Sequence, residues 1–299
     1  MDIYSEAYTL LSQKHPETQV LFDEPMANHT SFRIGGPVPM LIIPDSVDAL
    51  RDVKAFFENA GIRPLVIGNG TNLLVSDKAL SFPVIKTHGG LENIRLVSET
   101  RIYAEAGASL ARIACFARDN GLTGFEFAHG IPGSLGGAVY MNAGAYGGEM
   151  AQVVKKSESL NGVKIGEEHD FSYRHSAYTG TDDVILSAEI ELAPGDKEEI
   201  SAKMQELIGK RRNSQPLELP SAGSTFKRPV GGYAAAMIDE CGLKGYTVGG
   251  AMVSTKHAGF VVNYANASFD DVLAVISHVR ETVYKKLGTE LETEVLIIR

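Results

Sequence analysis

Apolar positions along this chain follow two periods, one of three to four residues and one of two, and the two periods alternate from end to end. In "SVDALRDVKAFFENAG" they place Val47, Leu50, Val53 and Phe57 on one helical face, with Ser46 as N-cap and Gly61 as stop. "SLARIACFARDNG" repeats the design between Ser109 and Gly121. "DKEEISAKMQELIGKRR" sets a capping pair, Asp196 and Glu199, ahead of Ile200, Met204, Leu207 and Ile208. The last long run, "SFDDVLAVISHVRETVYKKLG", predicts a helix that turns Phe269, Val272, Leu273, Ile276 and Val283 inward. Short apolar runs predict strands at "MLIIP", "PLVIG", "NLLVS", "PVIKT", "AVYMN", "VILSAEIEL", "GFVVN" and "VLIIR". Helices and strands that alternate without internal repeats predict a mixed α and β fold.

Composition narrows the class. At 299 residues the chain is long enough for about two domains on a prior of ~150 residues each, and three smaller ones fit as well. The net charge of −9 argues against nucleic-acid binding, which needs a basic face to neutralise phosphates. Cys115 and Cys241 are the only cysteines, and neither has a second ligand motif beside it, so neither a zinc site nor a disulfide framework is expected. No histidine pair of the H-E-x-x-H type occurs, and no catalytic metal is expected. The acidic start "MDIYSEAYTLLSQ" and the absence of any run near eighteen apolar residues predict a cytoplasmic protein without membrane insertion.

Three glycine-bearing segments carry the first chemical signal. "PLVIGNGTNLLVS" holds Gly68, Asn69, Gly70, Thr71 and Asn72 between two strands, where backbone N–H groups can form a nest for phosphate, or merely a bulged hairpin. A dinucleotide fingerprint would open a helix after its glycines, whereas an apolar strand follows here, so the Rossmann reading fails. "IPGSLGGAVYMNAGAYGG", from Ile131 to Gly148, concentrates six glycines around a predicted short strand. So many glycines disfavour folding entropically unless backbone must approach something closely, either a flat or phosphorylated ligand or a second layer of the fold. "NHTSFRIGGP" adds Arg33, hydroxyls and a Gly-Gly turn.

These segments resemble the FAD-binding region of the flavoprotein superfamily that includes vanillyl-alcohol oxidase and p-cresol methylhydroxylase. With "YRHS", "AGSTF" and the C-terminal "ETEVLIIR" added, nearly the whole chain resembles the UDP-N-acetylenolpyruvoylglucosamine reductase family, also called UDP-N-acetylmuramate dehydrogenases. "LAPGDKEEISAKM" is short and lacks tyrosine, which resembles the family's shorter, type II branch and leaves open what covers the uridine.

The resemblance implies an α+β architecture. Residues 1–80 and 81–200 would form a two-subdomain FAD-binding fold of the p-cresol methylhydroxylase type, and 201–299 an α+β substrate-binding domain. It implies non-covalent FAD, NADPH as co-substrate, and reduction of UDP-N-acetylglucosamine enolpyruvate to UDP-N-acetylmuramate in peptidoglycan precursor synthesis. FAD would be bound by Arg33, Gly68, Asn69, Gly70, Thr71, Asn72, Ile131, Pro132, Gly133, Ser134, Gly137, Asn142, Gly144 and Ala145. Partners would be limited to the UDP-sugar and NADPH, with the chain a monomer or weak oligomer.

Ser224 illustrates how chemistry and resemblance combine. A nucleophilic serine needs an adjacent base and often a G-x-S-x-G elbow, and "AGSTF" supplies neither. Proton donation suits it better, because reducing an enolpyruvyl group builds negative charge on the carbon beside the carboxylate. The resemblance makes Ser224 that donor, Arg174 the stabiliser of the enolate, whose planar paired donors suit it, and Glu294 a proton-relay or electrostatic residue. Lys227 and Arg228 after Ser224, with Arg211, Arg212 and Gln215 before it, form a local basic cluster, some of whose members would bind the UDP diphosphate, a solvated helix end being the alternative for Arg211 and Arg212. Two opposing classes remain: a flavin oxidase of the same fold, and a non-enzymatic UDP-sugar-binding module. His129, beside the glycine segment, stands where a small residue is usual.

Overall fold

The structure, a computed structural model, describes residues 2–299. Contacts divide the chain into two compact units, each assembled from separated segments: 1–22, 39–69 and 82–210 in the first, 23–38, 70–81 and 211–299 in the second.

The first unit has two apolar cores. One gathers Ala7, Leu11, Met40, Leu50, Val53, Phe57 and Ile85 around the helices Ile3–Lys14 and Val47–Asn59 and a four-stranded sheet. The order of that sheet is Gln19–Pro25, Pro37–Ile43, Val84–Lys86, Leu65–Ile67, and the last three strands run parallel. The other core gathers Ile102, Ile113, Phe125, Leu135, Tyr178, Ile190 and Met204 beneath a five-stranded antiparallel sheet. Its order is Gly162–Ile165, Val154–Ser159, Ile185–Glu191, Arg101–Glu105, Ile94–Leu96.

Local signals set the helix ends as predicted. The Ser46 hydroxyl accepts the Ala49 N–H and that of Ser109 the Arg112 N–H, each at 3.2 Å, and the Asp196 carboxylate accepts the Glu199 N–H at 3.0 Å. Gly61 and Gly121 close two of these helices at φ of +73° and +66°, a conformation that glycine adopts without a Cβ clash.

The second unit packs Phe226, Ile238, Val253, Val261, Val272, Ile276, Val279 and Val283 into a third core. The helix Phe269–Leu287 lies on an antiparallel sheet of Thr247–Val248, Ala251–Val253 and Val261–Asn263, and Leu296–Ile298 pairs in parallel with Leu73–Val75. Each large apolar side chain that leaves water in such cores contributes about 1.5–3 kcal/mol.

One predicted element changes type. The first three residues of "AVYMN" are the second half of a short helix, Leu135–Tyr140, and not a strand, and Met141 and Asn142 follow its end. Two of its first N–H groups, on Leu135 and Gly136, donate to the carbonyls of Ala108 and Ala106 at 2.9 and 2.8 Å. The close approach needs a glycine, since a Cβ on Gly136 would come within 2.9 Å of the Ala106 methyl. Backbone docking therefore outweighs the β preference of the valine and tyrosine.

Candidate active site

In the second unit, Ser224 lies on a backbone ribbon held from both sides. Its neighbour Thr225 is fully buried, donates its N–H to the Gly259 carbonyl at 2.8 Å, and accepts the Val261 N–H on its hydroxyl at 3.0 Å. On the other side the Glu294 N–H donates to the Thr225 carbonyl at 2.8 Å, Phe226 bridges Thr293, and the Lys227 N–H donates to the Glu292 carbonyl at 2.9 Å. That antiparallel register brings Glu294 opposite Thr225, one residue from Ser224, although 69 residues separate Ser224 and Glu294 in sequence. Gly223, at φ +77° with open space around it, turns the chain into the ribbon, and Ser224 and Glu294 are each half-buried.

The predicted glycine loop is tied to the same ribbon. The Asn72 carboxamide donates to the Glu294 carbonyl at 3.0 Å, and the Leu296 N–H donates to the Asn72 carbonyl at 3.0 Å. The Ser31 N–H reaches the Gly70 carbonyl at 3.1 Å while its hydroxyl donates to the Ser221 carbonyl at 2.6 Å, so "NHTSFRIGGP" fastens Gly70 and the approach to Ser224. Gly70 has φ +64°, and a Cβ there would strike the His29 carbonyl. Arg33 is exposed at φ +56°, a left-handed conformation that disfavours a side chain by roughly 1–2 kcal/mol. Thr71, the residue after Gly70, is half-buried.

Cations follow Ser224. Lys227 pairs with Glu292 at 2.8 Å and holds that carboxyl below the usual carboxylate range. The Arg228 guanidinium lies over the Tyr233 ring, 4.5 Å from its centroid. Arg211 sits in the last turn of the helix Lys197–Ser214, and Gln215 follows it with its side-chain oxygen buried and without a hydrogen-bond partner.

In the first unit, the loop and the glycine segment meet directly. The Asn69 carboxamide donates to the Pro132 carbonyl at 3.0 Å, and a Cβ on Gly68 would fall on the Ser134 hydroxyl. Ser134 is 2% exposed, yet its hydroxyl has no hydrogen-bond partner. Ile131, Pro132 and Gly133 lead into it, and the Gly133 carbonyl accepts the Leu110 N–H at 3.0 Å. Gly137 is exposed, with little near the position of a Cβ. Gly144 and Ala145 pair with Glu149 and Gly148 across a two-residue turn, Tyr146 and Gly147, in which both residues have positive φ. Asn142 is turned inward, with its oxygen accepting the Ala151 N–H at 2.9 Å and its amide donating to the Ser172 carbonyl at 3.0 Å. That second bond joins the glycine segment to the turn that carries Arg174.

Ser172 and His175 exchange backbone hydrogen bonds at 3.2 and 3.1 Å, leaving Tyr173 and Arg174 at the tip. Arg174 has φ +55° and its guanidinium lies 5.1 Å from the Tyr173 ring centroid. His129 sits just before the glycine segment, its Nε2 3.8 Å from the Cys115 sulfur and its Nδ1 buried without a partner. Burial first, and Arg118 second, push its pKa down.

An orphaned hydroxyl, glycines whose replacement would fill the space before it, and backbone held by backbone fit a flat, phosphorylated cofactor such as FAD. Ser31 and the buried Thr225 hydroxyl fix the site without any sequence signal that marked them individually. Among the described residues no group of three or more His, Cys, Asp or Glu side chains could hold a metal ion, and no helix is long and apolar enough to cross a membrane.

Comparison with known proteins places this geometry in a class. Residues 38–164 match the FAD binding domain family, and residues 215–298 match the C-terminal domain of UDP-N-acetylenolpyruvoylglucosamine reductase. An alkyldihydroxyacetonephosphate synthase structure, 14% identical over 64% of this chain with a TM-score of 0.50, shares the fold alone. The fold is thus that of an FAD-binding flavoprotein with an added C-terminal domain.

The chain belongs to the UDP-N-acetylenolpyruvoylglucosamine reductase family. A member from Caldanaerobacter subterraneus subsp. tengcongensis is 50% identical over 287 residues, covering 94% of each chain. One from Syntrophomonas wolfei is 44% identical, covering 99% of each. The crystal structure of the Thermus caldophilus reductase superposes with a TM-score of 0.80 at 32% identity, covering 94% of this chain and 99% of that one.

Proposed function

We propose that Ser224, Glu294 and Arg174 carry the reaction of this family, with NADPH as the reductant and a UDP-sugar as the acceptor. The activity is that of an oxidoreductase that reduces the enolpyruvyl group of UDP-N-acetylglucosamine enolpyruvate in peptidoglycan precursor synthesis. FAD, when bound, supplies the two-electron carrier between donor and acceptor.

In this reading the backbones of residues 68–72 and 131–137, with Ser134, Gly144, Ala145 and Arg33, hold FAD, and Asn142 holds the glycine segment in shape. The Ser224 hydroxyl donates a proton to the carbon beside the substrate carboxylate. Arg174 faces the carboxylate and the negative charge that develops there, where its paired donors remain protonated throughout. Glu294 supplies the negative field or relay that restores the Ser224 proton. Gln215, with its unpartnered buried oxygen, accepts from the sugar nucleotide, while Arg211, Lys227 and Arg228 neutralise its diphosphate. We place the enzyme in the cytoplasm as a monomer or weak oligomer, with no nucleic-acid partner, and read its subdomains as 1–80, 81–200 and 201–299.

The observation that carries this reading is the 2.8 Å hydrogen bond from the Glu294 N–H to the Thr225 carbonyl, which sets two distant proton-handling candidates on facing backbone segments. Anaerobic visible spectra test it. The flavin band should bleach with NADPH and return with the enolpyruvyl UDP-sugar. Ser224→Ala should leave bleaching nearly unchanged and slow the return by roughly 10² or more, the scale for losing a positioned acid. Equal slowing of both halves would remove Ser224 from proton donation.

A further inference from the structure

In the first unit, the polar side chains of Ser157, His169 and Tyr178 are wholly withdrawn from water, each 0% exposed. They form a single hydrogen-bonded chain. His169 Nδ1 lies 2.8 Å from the Gly166 carbonyl, which can only accept, so Nδ1 carries the ring proton. Nε2 is then an acceptor, and the Ser157 hydroxyl, 2.8 Å away, donates to it. Ser157 has no second proton, so the Tyr178 hydroxyl, 2.7 Å from Ser157 Oγ, donates to Ser157. Every proton has one place, and a satisfied buried chain of this kind fixes geometry more tightly than apolar packing does.

His169 and Tyr178 bracket the eight residues 170–177, with Arg174 in the middle. Both ends of that loop thus converge on one oxygen, Ser157 Oγ. The Ala177 N–H closes the loop on the His169 carbonyl at 2.7 Å, and Phe171 stacks on the His169 ring at 4.9 Å and 2°. Beyond them the turn lifts Arg174 into its left-handed backbone at φ +55°. A non-glycine residue keeps that conformation only where its surroundings impose it.

We propose that Tyr178, Ser157 and His169 are positioning residues for Arg174: the buried chain fixes the loop ends so that the guanidinium is presented ready-made to the substrate carboxylate. The inference rests on the role given to Arg174 above.

Tyr178→Phe removes one hydroxyl and keeps the ring. In the holoenzyme, single-turnover reoxidation of the NADPH-reduced flavin by the enolpyruvyl UDP-sugar should slow roughly tenfold, with flavin reduction by NADPH changed by less than about twofold. Hydrogen exchange of residues 170–177 in the oxidised holoenzyme should rise. The decisive measurement is the double variant: Arg174→Ala with Tyr178→Phe should reoxidise no more slowly than Arg174→Ala alone, because the hydroxyl acts only through the arginine. Ser157→Ala, a smaller change at the centre of the chain, should give the same pattern and serves if Tyr178→Phe does not fold.

Unchanged reoxidation in Tyr178→Phe, equal slowing of both half-reactions, or additive losses in the double variant would each overturn the inference. If Arg174→Ala is slow while Tyr178→Phe matches the wild type, only the positioning role falls. If Arg174→Ala itself reoxidises normally, the role of Arg174 falls and takes this one with it.

Discussion

Ser224 and Lys227 sit three residues apart on the same ribbon, yet different physics governs each. Ser224 follows a left-handed glycine and precedes a fully buried threonine, so its backbone is fixed on both sides. Lys227 ends in an exposed ion pair with Glu292, and exposed pairs contribute little to stability because water screens them. The ammonium is therefore available to an anion that competes better than one carboxylate. Lys227→Ala should raise KM for the UDP-sugar several-fold with kcat changed little, the signature of lost uniform binding, and steady-state kinetics at fixed NADPH would read it. A tenfold fall in kcat at unchanged KM would instead assign Lys227 to the chemical step.

His169 adds a pH dependence at the same scale. Burial, the largest influence, pushes its pKa below the usual 6.5, as Lys164 does, while the Gly166 carbonyl and Glu168 oppose them. The unfolded chain then binds a proton that the folded one refuses, so stability is complete above about pH 6.5 and is lost as pH falls from there toward the folded value. His129 and His257 are lowered by burial as well and act in the same sense. Melting temperature should drop between pH 7 and 5, and His169→Gln should flatten part of that slope. An identical slope in the variant would mean that His169 does not set it.

Elements were legible where local signals and packing agree. The helix beginning at Val47 has a serine cap, an apolar face and a glycine stop, and each is used as the pattern predicts. The strands at residues 65–67, 73–75 and 84–86 carry β-branched or leucine runs between turn residues and formed as expected. "AVYMN" failed because its state is decided from outside: Ala106 and Ala108 accept N–H groups of a helix whose N-cap, Ser134, makes no capping hydrogen bond. For the same reason the Ser157–His169–Tyr178 chain had no signature, since its members are polar residues at spacings that mean nothing until the sheet is formed.

The helix misread as a strand yields its own prediction. Gly136→Ala adds one methyl 2.9 Å from that of Ala106, and overpacking of this kind costs about 1–3 kcal/mol. Thermal denaturation should register the loss, whereas Gly147→Ala, with nothing within 4 Å but φ +86°, should lose only about 1 kcal/mol from backbone strain. If Gly136→Ala melts with the wild type, the helix is not held as closely on residues 106–108 as its hydrogen bonds state.

At the scale of the whole molecule, the candidate site was legible as three glycine segments and a few reactive side chains, but their distribution between two discontinuous units was not. The glycine loop leaves one unit and enters the other at Asn69 and Gly70, a boundary that no change of composition marks. Glycine segments that hold a cofactor, as proposed above, make the folded state depend on that ligand. A cofactor that binds only the native chain stabilises it by about 2.7 kcal/mol at a hundred times its dissociation constant. For a chain of this size that corresponds to a rise of about 4 °C in Tm. Apoprotein should therefore melt measurably below the same protein saturated with FAD, and flavin fluorescence should appear at the higher transition. Gly68→Val supplies the control, because its side chain would occupy the place of the Ser134 hydroxyl. That variant should itself melt below the wild-type apoprotein, because its side chain displaces a buried hydroxyl, and should show no further rise when FAD is added. Equal melting of the wild type with and without FAD would mean that the glycine segments do not hold the cofactor, whatever the catalytic residues do.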